Sequence, residues 1–237
     1  MSSMNSWFVF VVVLLLLCSI TKAFSATTLV DLTTDQNALL AFKNTITSDR
    51  NSALAKNWSS NMSVCNWIGV SCGVKHQRVM ALNISRFALL GTLPPHLGNL
   101  TFLRYLDISF NTFTGLIPYE LSTLYRLKEI DMSVNSFTGK IPPWFGALPQ
   151  LEYLSLDKNT FSRTIPEEIG NSSSLQILIL SYNQLTGPIS HGLFNVSSIR
   201  EIRIRDNRLS GMLPSDMCNN LPNLTRLSLL YNLLCNL

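Results

Sequence analysis

Residues Leu103 to Pro118 read LRYLDISFNTFTGLIP, and the fold follows from how often that string returns. Leu106 and Ile108 flank Asp107 in the alternation of a half-buried strand. That turns the two apolar side chains to one side and Tyr105, Asp107 and Ser109 to the other. The apolar pair recurs as Leu82/Ile84, Ile130/Met132, Leu154/Leu156, Leu178/Leu180, Ile202/Ile204 and Leu227/Leu229, at intervals of 24 five times and then 25. An Asn follows at 111, 135, 159, 183, 207 and 232, and a Gly four positions later at 115, 139, 187 and 211. So regular a return implies a stacked array of similar coils rather than one globular core.

Each part of the unit has a physical reason. Asn stands where the chain leaves the strand, and its amide can satisfy turn backbone groups that burial would leave unpaired. Gly permits positive φ or a close approach of neighbouring coils. The pairs Ile117-Pro118, Ile141-Pro142 and Ile165-Pro166 impose an extended segment before a short helical turn. A period of 24 falls in the range of leucine-rich repeats, whose units bury their apolar sides only by stacking. The expected fold is α/β: a right-handed leucine-rich-repeat solenoid with a parallel concave sheet and a helical amino-terminal cap. About six full repeats and a partial seventh occupy residues 80–237. Phe87 at the first Asn place, Arg163 at a Gly place and Ser190 at a Pro place are departures that bear on local turns. In the seventh unit Leu227, Leu229, Leu233 and Leu234 are expected to leave apolar surface open.

The front of the chain supplies a cover and a compartment. Phe8 to Cys18 (FVFVVVLLLLC) is an apolar run too short to span a bilayer and is followed by small residues at Ala23, Ser25 and Ala26. It reads as a secretory signal peptide over residues 1–25, with a retained signal anchor as the alternative. The mature chain is then secreted or extracellular, with no membrane span after signal removal. Residues 26–79 form the cap: an amphipathic helix from Thr33 to Ile46 with a capping box of Thr33 and Gln36, carrying Leu39 and Phe42, joined by Trp58 and Trp67. In an oxidising compartment Cys65 and Cys72 are expected to form a disulfide, a small ring that contributes roughly 2.5 kcal/mol. Cys218 and Cys235 fall at different points around the coil and are expected to be unpaired. Seven N-x-S/T sequons, at Asn57, Asn61, Asn83, Asn99, Asn171, Asn195 and Asn223, fit a glycoprotein; Asn83 fits least, because it lies on a strand.

With 46% apolar and 14% charged residues the chain is no disordered polymer, and a net charge of +4 without a basic run excludes nucleic acid as a partner. His76, His96 and His191 are scattered, and no P-loop, HExxH or GxSxG motif occurs, so no enzyme, metal or cofactor is read here. The candidate site is the concave face, roughly 29 Å of sheet able to hold an extended peptide of about nine residues. Its candidate contact residues are Tyr105, Asp107, Asp131, Tyr153, Asp157, Arg203 and Arg205, acidic in the early coils and basic in the sixth. Asp107 and Asp131 are equivalent positions on adjacent strands. Arg203 and Arg205 project from one face and could grip a carboxylate in forked fashion, unless Glu201 and Asp206 occupy them. Phe110 and Tyr182 are further contact aromatics.

The string LxxLxxLxLSxNxFTGxIP resembles the extracellular repeats of plant leucine-rich-repeat receptor-like kinases, most nearly the immune-receptor type. Asp35 to Lys43 (DQNALLAFK), Trp58, Cys65-Asn66-Trp67-x-Gly69-Val70-x-Cys72 and Arg78-Val79 resemble that family's amino-terminal cap. The resemblance implies a noncatalytic recognition module of signalling or defence. Its concave face would bind a peptide or protein ligand, with a co-receptor ectodomain as a further partner. It also implies that Arg203-x-Arg205 is similar to the motif that holds a peptide's terminal carboxylate in some of these receptors. A full receptor of this kind continues into more repeats, a membrane helix and a kinase, so the chain reads as a truncated receptor, at the cell membrane if it continues past residue 237. The alternatives are a secreted inhibitor of microbial cell-wall-degrading enzymes, resembling polygalacturonase-inhibiting proteins, and a non-functional receptor fragment.

Overall fold

A computed structural model describes residues 32–215 and 217–235; the signal-peptide stretch lies outside them. The apolar pairs form the strands of one eight-stranded sheet. After Val70–Cys72 come seven concave strands: Val79–Asn83, Tyr105–Asp107, Glu129–Asp131, Tyr153–Ser155, Ile177–Ile179, Glu201–Arg203 and Arg226–Ser228. These seven run parallel in chain order, and only Val70–Cys72 is antiparallel to its neighbour. The register sets Leu82, Leu106, Ile130, Leu154, Leu178, Ile202 and Leu227 side by side, and all but the last are buried.

Asparagine does more than close its own turn. In Asn135 the amide nitrogen donates to the Met132 and Ser133 carbonyls and, one coil back, to the Ile108 carbonyl at 3.0 Å. Its Oδ1 accepts from Phe113 N at 2.9 Å. Asn111, Asn159, Asn183 and Asn207 repeat the pattern, so one side chain satisfies four backbone groups in two coils. Reaching that position requires left-handed backbone at the preceding residue. Phe110, Val134, Lys158, Tyr182, Asp206 and Tyr231 all lie between φ 51° and 57°. Arg163 keeps the left-handed conformation of the glycines it replaces, at φ 73°, so the departure leaves the turn unchanged.

The return segments, expected only as extended chain, form a second eight-stranded sheet. Leu89–Gly91, Thr112–Gly115, Ser136–Gly139, Thr160–Arg163, Gln184–Gly187, Arg208–Met212 and Leu233–Cys235 pair in parallel, and Ile46–Asp49 closes the edge antiparallel. Inside it a spine of Phe113, Phe137 and Phe161 stacks ring on ring at 6.3 Å for each pair and continues as Leu185 and Leu209, all fully buried. Short 3₁₀ turns after the prolines, such as Pro143–Ala147 and Glu167–Asn171, complete each coil. They pack so closely that a Cβ on Gly146 would lie 1.8 Å from the Glu168 carbonyl oxygen.

The cap seals the first coil by aromatic packing and one buried ion pair. Phe42 lies 5.7 Å from Phe113 and 6.2 Å from Trp58, which stacks on Trp67 at 5.2 Å. Arg78 grips Asp35 with two bonds of 2.8 and 2.9 Å, and Val79 N donates to the same carboxylate. Cys65 and Cys72 are bonded, with Cα atoms 5.4 Å apart. One expectation needs correction. The helix spans residues 32–44 and Ile46 belongs to a strand, because that segment finds hydrogen-bond partners along Leu89–Gly91. The Gln36 amide donates to the Ser60 carbonyl, 24 residues away, and so ties the helix to the segment after Trp58. Of the four leucines expected to be open at the far end, Leu229 is buried and Leu227 and Leu234 are half-buried, since inward positions pack on the coil beneath, whereas Leu233 is exposed, as are Leu230 and Tyr231.

Candidate functional site

Alternate residues of the concave strands point outward, and the register arranges them in columns. One reads Asn83, Asp107, Asp131, Ser155, Ile179, Arg203 and Ser228; the column two places earlier reads Ala81, Tyr105, Glu129, Tyr153, Ile177, Glu201 and Arg226. A third, two places later, holds Ser109, Ser133, Asp157, Ser181 and Arg205. All seven expected contact residues therefore share this face, and Asp107 lies beside Asp131.

In the early coils the acid and the serine satisfy each other. Ser109 Oγ donates to Asp107 Oδ1 at 2.7 Å, and Ser133 N donates to Asp131 Oδ1 at 2.9 Å. The Tyr153 hydroxyl reaches the Asp131 carboxylate from the next strand. Burial pushes the Asp131 carboxyl above its ordinary range, and the charge of Asp107 adds to the rise against the bonds from Ser133 and Tyr153. Burial likewise raises Asp157, with the charge of Asp131 added, while Lys158 and Arg203 oppose it. The Tyr153 phenol is raised by burial and by Asp131.

At the basic end the alternative holds in which Glu201 and Asp206 occupy the two arginines. Arg203 and Arg205 have uncharged lateral neighbours, Ile179 and Ser228 for Arg203, but are compensated along their own strand. Arg203 Nε donates to the Glu201 carboxylate, which also accepts from Arg226 Nη1 at 3.0 Å. Arg205 Nε donates to Asp206 at 2.6 Å, and its guanidinium sits 5.4 Å from the Tyr182 ring and 5.3 Å from Tyr231. Three cations share two carboxylates, so the end stays positive. Burial opposes ionisation of Glu201, yet the bonds from Arg203 and Arg226 outweigh it and hold the group below its usual range. Arg226 was not among the expected contact residues, although counting the last interval as 25 places it in the Tyr153 column. Of the other aromatics, Tyr105 is 41% exposed, and Phe110 lies under the Arg86 guanidinium at 3.8 Å.

Between the two ends lies a cavity of about 520 Å³ that includes Asp131, Tyr153, Asp157, Ile179, Arg203, Arg205 and Arg226 in its lining. A larger groove of about 840 Å³ on the side of the 3₁₀ turns mixes Lys140 and Arg163 with Glu167 and Glu168 and does not separate its charges. Asn61, Asn83, Asn99, Asn171, Asn195 and Asn223 are exposed, whereas Asn57 is half-buried and its Oδ1 accepts from Ile68 N. Asn83 closes the first concave strand, with Oδ1 engaged by Ser85. Cys235 is a free, exposed thiol, and the Cys218 side chain lies outside the described residues. Among the described residues no cluster of His, Cys, Asp and Glu could hold a metal, and no helix is long and apolar enough to cross a membrane.

Comparison with known proteins agrees with this geometry. Residues 66–236 match the family described as leucine-rich repeat region, and residues 32–73 match the leucine-rich-repeat N-terminal domain. The Arabidopsis thaliana LRR receptor-like serine/threonine-protein kinase EFR is 41% identical over 80 residues, 34% of this chain and 8% of that protein. The chain thus spans only a small part of this curated relative. Among solved structures, the ectodomain of the Arabidopsis receptor kinase HAESA with an N-terminally extended IDA peptide hormone superposes with a TM-score of 0.78 at 31% identity, covering 86% of this chain and 34% of that one. HAESA with IDA and the co-receptor SERK1 gives a TM-score of 0.75 at 32% identity, covering 82% and 33%. The chain belongs to the leucine-rich-repeat family and is similar to the ectodomains of plant receptor-like kinases.

Proposed function

We propose that this chain is a noncatalytic extracellular recognition module that takes a peptide or protein ligand along its concave face. The observation that carries the reading is the cavity of about 520 Å³ on a rigid parallel sheet, with carboxylates at one end and guanidiniums at the other. Rigid strands hold these groups in place before a ligand arrives, which lowers the ordering cost of binding. The solved relatives bear a peptide hormone, and in one case also a co-receptor, on the same kind of scaffold. By that likeness a second ectodomain is a fitting partner here, and signalling would need a kinase joined to the repeats. The reading includes residues 1–25 as a signal peptide, 26–79 as the cap and 80–237 as the repeats, with the exposed sequons glycosylated. The contact residues are Tyr105, Asp107, Asp131, Tyr153, Asp157, Arg203 and Arg205.

The test is selection from a random dodecapeptide library with free carboxyl termini, scored against the chain and against a Tyr153→Ala, Arg203→Ala, Arg205→Ala variant. Selected peptides should lose about tenfold or more in affinity for the variant, as expected when central contacts are truncated. Peptides that bind both proteins equally would place recognition elsewhere.

A further inference from the structure

Resting on the concave reading above, we propose that the ligand carries a cationic side chain held by Asp131 and Asp157. An apolar side chain would lie over Ile179, and an anionic group about four residues further on would meet Arg203, Arg205 and Arg226.

The inference starts from the central strand. In the two preceding coils whose outward serine follows an acid, the pair is self-contained, as Asp107–Ser109 and Asp131–Ser133 are. In the fifth coil Ile179 takes the acid's place, and the Ser181 hydroxyl, in a residue 3% exposed, has no hydrogen-bond partner. Ser181 lines the same cavity. On the strand before it, the half-buried Asp157 carboxylate accepts no hydrogen bond from any described residue. Buried polar atoms are nearly always paired, so the unpaired Ser181 hydroxyl, beside a half-buried carboxylate that has no donor, marks a place that a ligand completes.

Lys158, which lines the same cavity, and Arg203 act on Asp157 through charge alone, without a hydrogen bond. Asp157 and Arg205 stand two strands apart, about 10 Å, and Asp131 and Arg203 three strands apart, about 14 Å, at the usual strand spacing. Both separations are comparable to or longer than the screening length of roughly 8 Å at physiological salt. The strand next to Arg203 and Arg205 carries Ile177, Ile179 and Ser181 at the outward places, none of them charged. A peptide extended across the strands advances about 3.4 Å per residue, so about four residues separate its cation from its anion. Asp131 retains acceptor capacity beyond the bonds from Ser133 and Tyr153, because a carboxylate has about four acceptor sites. A lysine ammonium or arginine guanidinium between Asp131 and Asp157 would neutralise two carboxylates that now repel each other.

The test uses acetylated pentapeptides with lysine first, leucine third and a free carboxyl terminus, titrated calorimetrically against the intact chain. Control peptides replace lysine by norleucine, leucine by glycine, or the carboxylate by an amide. The parent should bind about tenfold more tightly than the norleucine and amide peptides. In an Asp131→Asn, Asp157→Asn variant, near-isosteric and so folded, the norleucine penalty should fall below about twofold while the amide penalty remains. An Arg203→Ala, Arg205→Ala variant should do the reverse. Equal binding of lysine and norleucine peptides by the unaltered chain, or no binding of the parent at millimolar concentration, overturns the proposal. If the lysine preference survives both aspartate substitutions, this subsite is wrong but concave binding stands. If no peptide's binding changes in either variant, concave binding fails as well.

Discussion

Leu106 and Asp107 are neighbours on one strand, yet they belong to columns that behave in opposite ways. The inward column repeats leucine or isoleucine in every coil, and beside it run the phenylalanine spine and the asparagine ladder. The outward column changes at nearly every step, from Asp107 and Asp131 through Ser155 and Ile179 to Arg203. Close packing explains the first: each inward side chain must fit the coil above and the coil below, so one solution recurs. Nothing covers the second, so each coil is free to present a different group. Periodicity therefore marks scaffold in this molecule, and its loss marks the face we propose for recognition.

Substitution should separate the two. The largest effect is expected from Phe137→Ala, which empties the middle of the spine and should cost about 3–5 kcal/mol, read as a lowered thermal midpoint with concave side chains untouched. A loss under about 1 kcal/mol would mean that the rings do not tie the coils together. Next is Asn159→Leu, which strands the Met132, Leu156 and Asp157 carbonyls and the Phe137 amide and should cost roughly 2–3 kcal/mol in denaturant titration.

On the outward side the sign reverses. Asp131 and Asp157 have folded-state pKa values raised first by burial, with the charge of Asp107 added for Asp131 and that of Asp131 for Asp157, so the native chain holds more protons than the unfolded chain just above the ordinary carboxylate range. Stability is therefore fullest below that range and declines as pH rises through the raised values. Asp131→Asn or Asp157→Asn should raise the thermal midpoint at neutral pH, and the gain should vanish on acidification; a loss at neutral pH would show that the carboxylates support the fold. The smallest effect should be Ser181→Ala. Its hydroxyl has no partner, so removal should change stability by less than about 0.5 kcal/mol or raise it slightly, whereas Ser109→Ala loses its bond to Asp107 and should cost about 1 kcal/mol.

Much of the scaffold could be read from spacing alone. The strands, the asparagine turns and the short helical turns each have a residue type bound to one backbone requirement. The second sheet was harder to read, since its strands share only two or three paired residues with each neighbour and carry Thr, Ser and Gly, which alternate too weakly to announce a strand. Ile46 keeps helical spacing with Phe42 but pairs in a strand with Gly91, 45 residues further on. For the site, counting the repeat was enough to place every outward residue in its column. It could not say who pairs with whom. That Glu201 serves both Arg203 and Arg226, that Tyr153 crosses to Asp131 and that Asp157 is left without a donor depend on side-chain reach, which spacing does not encode.

Isoleucine methyl NMR on the intact chain offers the most direct check, because Ile179 lines the concave cavity while Ile141 and Ile165 line the groove beside the 3₁₀ turns. Titration with a library-selected peptide should shift the Ile179 methyl signals to saturation and leave those of Ile141 and Ile165 in place. Shifts at Ile141 and Ile165 with Ile179 unmoved would contradict the assignment of the concave face as the recognition surface.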